Sequence, residues 1–320
     1  MPLIKFIFIT LSILFPTICA AQESVVQVMN NKLYAMYHKA KYDTNYVSRP
    51  QQRFNAQVFG ENGQSEISWE TDGYKATFTT YDKISVGIKF SYMGIGGGYS
   101  FYPKYANKGH KAEDAKKYSL HYYGRIVGGD ISYLKSGSVG GEIVNANISD
   151  NEISDTLSQK MVSANIYYVY NNKKFSYPAA FTSGFFQHKQ CGSLLFGMSA
   201  LYIETKNATS STVMKQASLS FGVGYGYNFL LKDKWLLHLS AIPMIASNNK
   251  SHFKLEGQSE EIDKIDMGFI ATARVAAIYN FSRYYLSVNG EMTLHQFGDE
   301  MSLSVSIMDF KAHIDYGIRF

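Results

Sequence analysis

His238 and Ser240 lie two residues apart in LLHLSAIP, the spacing that brings a base and a nucleophile onto one face of a β-strand. Membrane-embedded lipid hydrolases use such a pair, with an Asn or Glu on a neighbouring strand to orient the imidazole. Here the shared face also carries Leu236, Ile242 and Met244. Trp235, Leu237, Leu239, Pro243 and Ile245 form the more apolar side, the one expected to meet lipid. A nucleophile acting on membrane lipid must stand at the lipid surface, and no orienting partner stands out. The sequence assigns no catalytic residue.

The remaining reactive side chains give no second candidate. The 8 histidines are scattered, without H-x-x-x-H spacing or an acidic cluster, so neither a metal nor a cofactor is expected. GIGGGYSF is only superficially a phosphate loop, because it lies between strands and opens no helix; small residues that let a sheet curve explain it. Cys191 reads as a small buried hydrophobe rather than a reactive thiol. A net charge of +5 spread without a basic block excludes nucleic acid as a partner.

Three kinds of segment must position these residues. Residues 1–21 combine Lys5, the apolar FIFITLSILF and the small residues of TICAAQ, which is the layout of a secretory signal peptide cleaved after Ala21. Its apolar core is shorter than a transmembrane helix, and no later stretch reaches that length. Cleavage leaves Cys191 as the sole cysteine, so no intramolecular disulfide can staple the chain. In residues 22–65, Val25, Val28, Met29, Leu33, Met36 and Tyr37 recur at helical spacing, and YDTNYVSRPQQRF follows without periodicity. This segment is expected outside the wall, on the periplasmic side or folded into the lumen.

From residue 66 to 320 the period is two. In QASLSFGVGYGYNF, Leu219, Phe221, Val223, Tyr225 and Phe229 share one face, with Ser218, Ser220, three glycines and Asn228 on the other. FIATARVAAIYNF, YYLSVNGEMTL and FKAHIDYGIRF repeat the pattern, with weaker versions at 84–92, 118–128, 161–170, 194–205 and 234–245. Short breaks (LKDK, NFSR) contrast with the long polar stretches 103–117, 149–159 and 247–266. Alternation over about 10 residues, with short turns on one side and long loops on the other, predicts a closed antiparallel transmembrane β-barrel. Even strand numbers are the rule, so the expectation is about 12 strands (range 10–14), with 175–186 and its Pro178 as the doubtful run.

Alternation alone does not say which face is dry. A secreted soluble barrel would bury the aromatic side. The Gly- and Ser-rich polar face suits a crowded lumen better, and 25 Tyr with 21 Phe suit a surface between lipid and water. Ending on Phe320 matches the C-terminal signature by which assembly machinery recognises outer-membrane barrels. KYDTNYVSRP, SYMGIGGGYSF, KFSYPAAF and QHKQCGSLLFG resemble stretches of an uncharacterised outer-membrane family from Bacteroides-like bacteria. That resemblance implies a β-barrel in the bacterial outer membrane and carries over no catalytic residues.

The expected protein is a non-enzymatic barrel, either a narrow solute channel or an envelope scaffold, in contact with outer-membrane lipid. A lipid-modifying barrel enzyme is the alternative. One pairing follows from register: if Ser282 and Arg283 form a two-residue turn, Phe281 faces Tyr284, and counting outward sets Arg274 opposite Glu291 in the lumen.

Overall fold

The computed structural model describes residues 27–28, 30–32, 34–35, 42–71, 74–103, 115–145, 148–182, 184–207, 213–231, 234–254, 262–298 and 304–320. The expected signal peptide lies outside the described residues. Two units are present, Met1–Lys41 and Tyr42–Phe320. In the first, the described residues are helical, in keeping with the helical spacing around Val28.

The second unit is built from strands β1 (Val47–Ser48), β2 (Phe54–Thr71), β3 (Tyr74–Tyr92), β4 (Ile95–Phe101), β5 (Lys116–Tyr123), β6 (Val127–Asn145) and β7 (Ile148–Val169). It continues through β8 (Phe186–Gln187), β9 (Cys191–Asn207), β10 (Val213–Leu231), β11 (Trp235–Lys254), β12 (Ile262–Phe281), β13 (Tyr284–Phe297) and β14 (Ser304–Arg319). All but β1 and β8 form one closed antiparallel barrel of 12 strands, in which β14 returns to β2. At the seam, Phe54 and Phe320 exchange both backbone hydrogen bonds (2.9 and 3.0 Å), and their rings stack at 5.6 Å. Closure leaves no edge strand, so the ladders satisfy the backbone without water.

Burial decides the question that periodicity left open. Phe221, Tyr225 and Ile314 are 56, 52 and 60% exposed on the outer surface, whereas Gln216, Ser220 and Asn228 are at most 1% exposed on the inner one. A continuous apolar exterior of this kind belongs in lipid, and it excludes the soluble-barrel alternative. The glycines of β10 have a specific cause. A β-carbon on Gly224 would lie 2.0 Å from the Ala241 carbonyl oxygen of β11, so only glycine lets the two strands approach so closely.

Several expectations change. The wall begins at Phe54, so residues 54–65 belong to β2 and not to an N-terminal segment ending at 65. Their alternation is blurred because Asn62 and Gln64 face outward while Phe59 is buried inside. Residues 149–159, read as a loop, continue β7, because a ladder can extend past the apolar belt without apolar side chains. Two-residue turns occur at 93–94 and 282–283 at one end of the barrel, and at the other end the described strands also stop and restart close together in the chain, at Thr71 and Tyr74 and at Asn145 and Ile148. The doubtful run around Pro178 is no wall strand. It forms a 3-10 turn, Pro178–Ala180, within a long connection from β7 to β9 that folds into the lumen at the end where Ser282 and Arg283 turn.

Candidate functional site

The inserted connection is held by side chains from the wall and by the short strand β1, which lies ahead of the wall in the chain. Val47 and Ser48 pair with Gln187 and Phe186, and Ser48 Oγ lies 2.6 Å from His188 Nε2. The Gln187 amide donates to the carbonyls of Tyr46, Lys174 and Lys189 (3.2, 2.6 and 2.8 Å). Phe175 and Tyr177 bury themselves against Leu195, Ile242 and Tyr167. Arg125 donates to Asn172 Oδ1 at 2.7 Å, and Asn55 donates to the Thr182 carbonyl at 2.8 Å. The segment is therefore a packed plug, fixed from several sides.

Against the plug lies the His238–Ser240 pair, with Ser240 directly opposite Arg274 in the β11–β12 ladder. Both residues face the lumen, each 3% exposed. Sequence reasoning found no orienting partner, and the register supplies one: Asn228 stands directly opposite His238, with Oδ1 2.7 Å from His238 Nδ1. Counting back from the Leu231–Trp235 pairing across the LKDK break would have located it. The Asn228 amide nitrogen donates to the Ser176 carbonyl (2.9 Å) and to Gln187 Oε1 (3.2 Å), so its oxygen is the atom left to meet the imidazole. An amide oxygen only accepts, so His238 carries its proton on Nδ1 and Nε2 accepts from Ser240 Oγ at 2.9 Å. This is the polarity of a nucleophile and base. Nevertheless, the rings of Phe175, Tyr177 and Phe181 close over the imidazole, with centroids 6.2, 5.3 and 5.1 Å away. In this packing the network anchors the plug through Asn228.

Above the plug the lumen opens into a chamber of about 180 Å³, with Tyr177 and Phe181 among its walls. Arg274 and Glu291 meet here as the register requires: Arg274 Nε lies 2.6 Å from Glu291 Oε2. Arg274 Nη1 also donates to the Tyr177 hydroxyl at 2.9 Å, which ties the pair to the plug. The row continues across β14, where Lys311 stands opposite Glu291 with Nζ at 3.7 Å. Glu61 of β2 accepts from Lys117 of β5 at both oxygens (2.9 and 2.8 Å) and lies 3.2 Å from His313 Nε2. Asp315 accepts from Ser287, Asn289 and Gln57, with Lys89 3.7 Å away. Of these chamber residues the sequence identified only Arg274 and Glu291. The others come together through closure of the ring, and Glu61 lay in the segment that was not assigned to the wall.

Among the described residues no group of His, Cys, Asp and Glu is arranged to hold a metal ion. Cys191 is half-buried, with its sulfur 3.3 Å from the Asn171 amide nitrogen.

A closed 12-strand antiparallel barrel with an apolar exterior and a polar, plugged lumen defines an integral membrane β-barrel of the outer-membrane type. The chain belongs to the family described as Domain of unknown function (DUF4421), which matches residues 41–320. No curated protein matches it. Among solved structures it is similar to the outer membrane protease OmpT from Escherichia coli, at 8% identity and a TM-score of 0.42, over 85% of this chain and 98% of that one. It is also similar to the translocator domain of the autotransporter NalP from Neisseria meningitidis, at 13% identity and a TM-score of 0.37, over 95% and 99% of the two chains. The beta domain of the Bordetella autotransporter BrkA gives 12% identity and a TM-score of 0.41, over 84% and 100%. Likeness at this level transfers no activity; the barrel rests on its own ladders.

Proposed function

We propose that this chain is a non-enzymatic outer-membrane barrel that acts as a narrow solute channel, gated at one end by its inserted plug. Residues 1–21 would deliver it as a cleaved signal peptide, and the apolar exterior would contact outer-membrane lipid. The observation that carries the reading is the seating of residues 171–190 in the lumen beneath a charged chamber. A scaffold has no need of a hydrated, ion-paired interior closed by a separately anchored segment. Conductance in planar bilayers tests it. Protein in which residues 172–188 are replaced by a short Gly-Ser turn should conduct several-fold more than the intact chain. Equal conductance from both forms, or none from either, would favour a scaffold.

The arrangement of Asn228, His238 and Ser240 favours a second reading, a hydrolase unmasked when the plug leaves, whose lipid or ester substrate would have to enter the lumen because both side chains face inward. Lipase and deacylase assays on the intact and plug-replaced proteins decide between them. Turnover that disappears with His238→Ala would establish the enzyme.

A further inference from the structure

Among the described residues, the chamber contains one carboxylate without an ion-pair partner and one ammonium that shares its carboxylate with a second cation. Glu61 is engaged by Lys117, Glu291 by Arg274, and Asp315 by Lys89. Asp130 of β6 lines the same chamber, and its hydrogen bond is to a neutral group, the Asn165 amide at 3.1 Å. Among the described residues Asp130 makes no ion pair, although Arg274 and Lys311 line the same chamber. His121 stands opposite it in the ladder, and no hydrogen bond joins the two among the described residues. Lys311 is the counterpart: its nearest carboxylate, 3.7 Å away, is the one that Arg274 already holds at 2.6 Å. Asp130 on β6 and Lys311 on β14 reach the same chamber from strands that are not neighbours in the wall. A partly buried carboxylate without a cation and an ammonium that must share its carboxylate are both under-compensated, and a ligand that supplies both opposite charges relieves both at once.

We propose that this chamber is a binding site for a small zwitterion, with the ligand's ammonium at Asp130 and its carboxylate at Lys311 beside Arg274. A free α-amino acid has this chemistry, and the chamber volume of about 180 Å³ fits a solute of that size rather than a drug-sized one. Tyr123 and Tyr167 of the wall and Tyr177 of the plug line the chamber and would limit the ligand's side chain. The site rests on the channel reading, for which it names the class of solute.

Titration calorimetry on the full chain in detergent tests the site without any current, so a failure here and a failure of conduction are separate outcomes. The probes are alanine, glutamine, acetate, methylammonium and glucose. Alanine or glutamine should bind, and acetate and methylammonium should bind at least about tenfold more weakly. Asp130→Asn and Lys311→Gln should each weaken zwitterion binding by about tenfold or more, while the heat-modifiable folded band is retained. Absence of amino-acid binding, equal binding of glucose, or unchanged affinity in the folded Asp130→Asn protein would each overturn the proposal. If neither variant folds, alanine binding by the intact chain that is competed equally by acetate alone would also overturn it.

Discussion

Asn228 and His238 face each other across the β10–β11 ladder, Oδ1 to Nδ1 at 2.7 Å, and the amide nitrogen of Asn228 holds the plug at Ser176. One side chain thus fixes the imidazole tautomer and fastens an inserted segment to the wall. Replacing Asn228 by Asp exchanges the amide donor for an acceptor next to the Ser176 carbonyl and Gln187 Oε1. The cost should be about 1–3 kcal/mol, borne mainly by the plug. Limited proteolysis should cut within residues 171–190 faster than in the parent, while the barrel still runs as a folded species before boiling. Unchanged protease resistance would remove this anchoring role.

Arg274 and Glu291 should be energetically coupled. In a cycle of Arg274→Met, Glu291→Gln and the double substitution, the coupling should exceed about 0.5 kcal/mol. The Arg274→Met variant should also loosen the plug, because the guanidinium donates to Tyr177. A coupling of zero would mean that each charge is satisfied independently.

The segment ahead of the wall, which contains β1, predicts a graded response to truncation. Deleting residues 22–41 should leave both barrel and plug, since the described pairings of the wall begin at Phe54. Deleting residues 22–50 also removes Val47 and Ser48, the partners of β8, and should raise conductance while leaving a heat-modifiable barrel. Loss of the folded band in the longer deletion would show that residues 42–50 support the wall itself.

Two glycine substitutions should separate. Gly224→Ala puts a β-carbon 2.0 Å from a β11 carbonyl oxygen, against backbone that cannot yield without parting the strands. Gly60→Ala meets nothing within 4 Å. Denaturant unfolding should show the first markedly destabilised and the second within about 0.5 kcal/mol of the parent.

Much of the barrel was legible because a strand has only two faces. Alternation in β10, β12, β13 and β14 is a local property, so the class of fold and the approximate strand number follow from residue order. The two-residue turn at Ser282 and Arg283 fixes the register of one hairpin, so the partnership of Arg274 with Glu291 was also readable. The same counting through the LKDK break sets Asn228 opposite His238, but the anchoring role of that pair depends on the plug lying over it.

What the sequence could not decide depends on closure of the ring. Period two distinguishes two faces without saying which meets lipid, and only the closed wall turns Phe221 and Tyr225 outward. Glu61 and Lys117 stand on β2 and β5, which are not neighbours in the wall, and Gln57 and Asp315 are 258 residues apart. Such pairings depend on strand stagger and tilt, which no local pattern encodes. The plug escaped for the same reason. Phe175, Tyr177 and Phe181 have no strand period of their own, and they find burial only in the lumen that the twelve strands enclose.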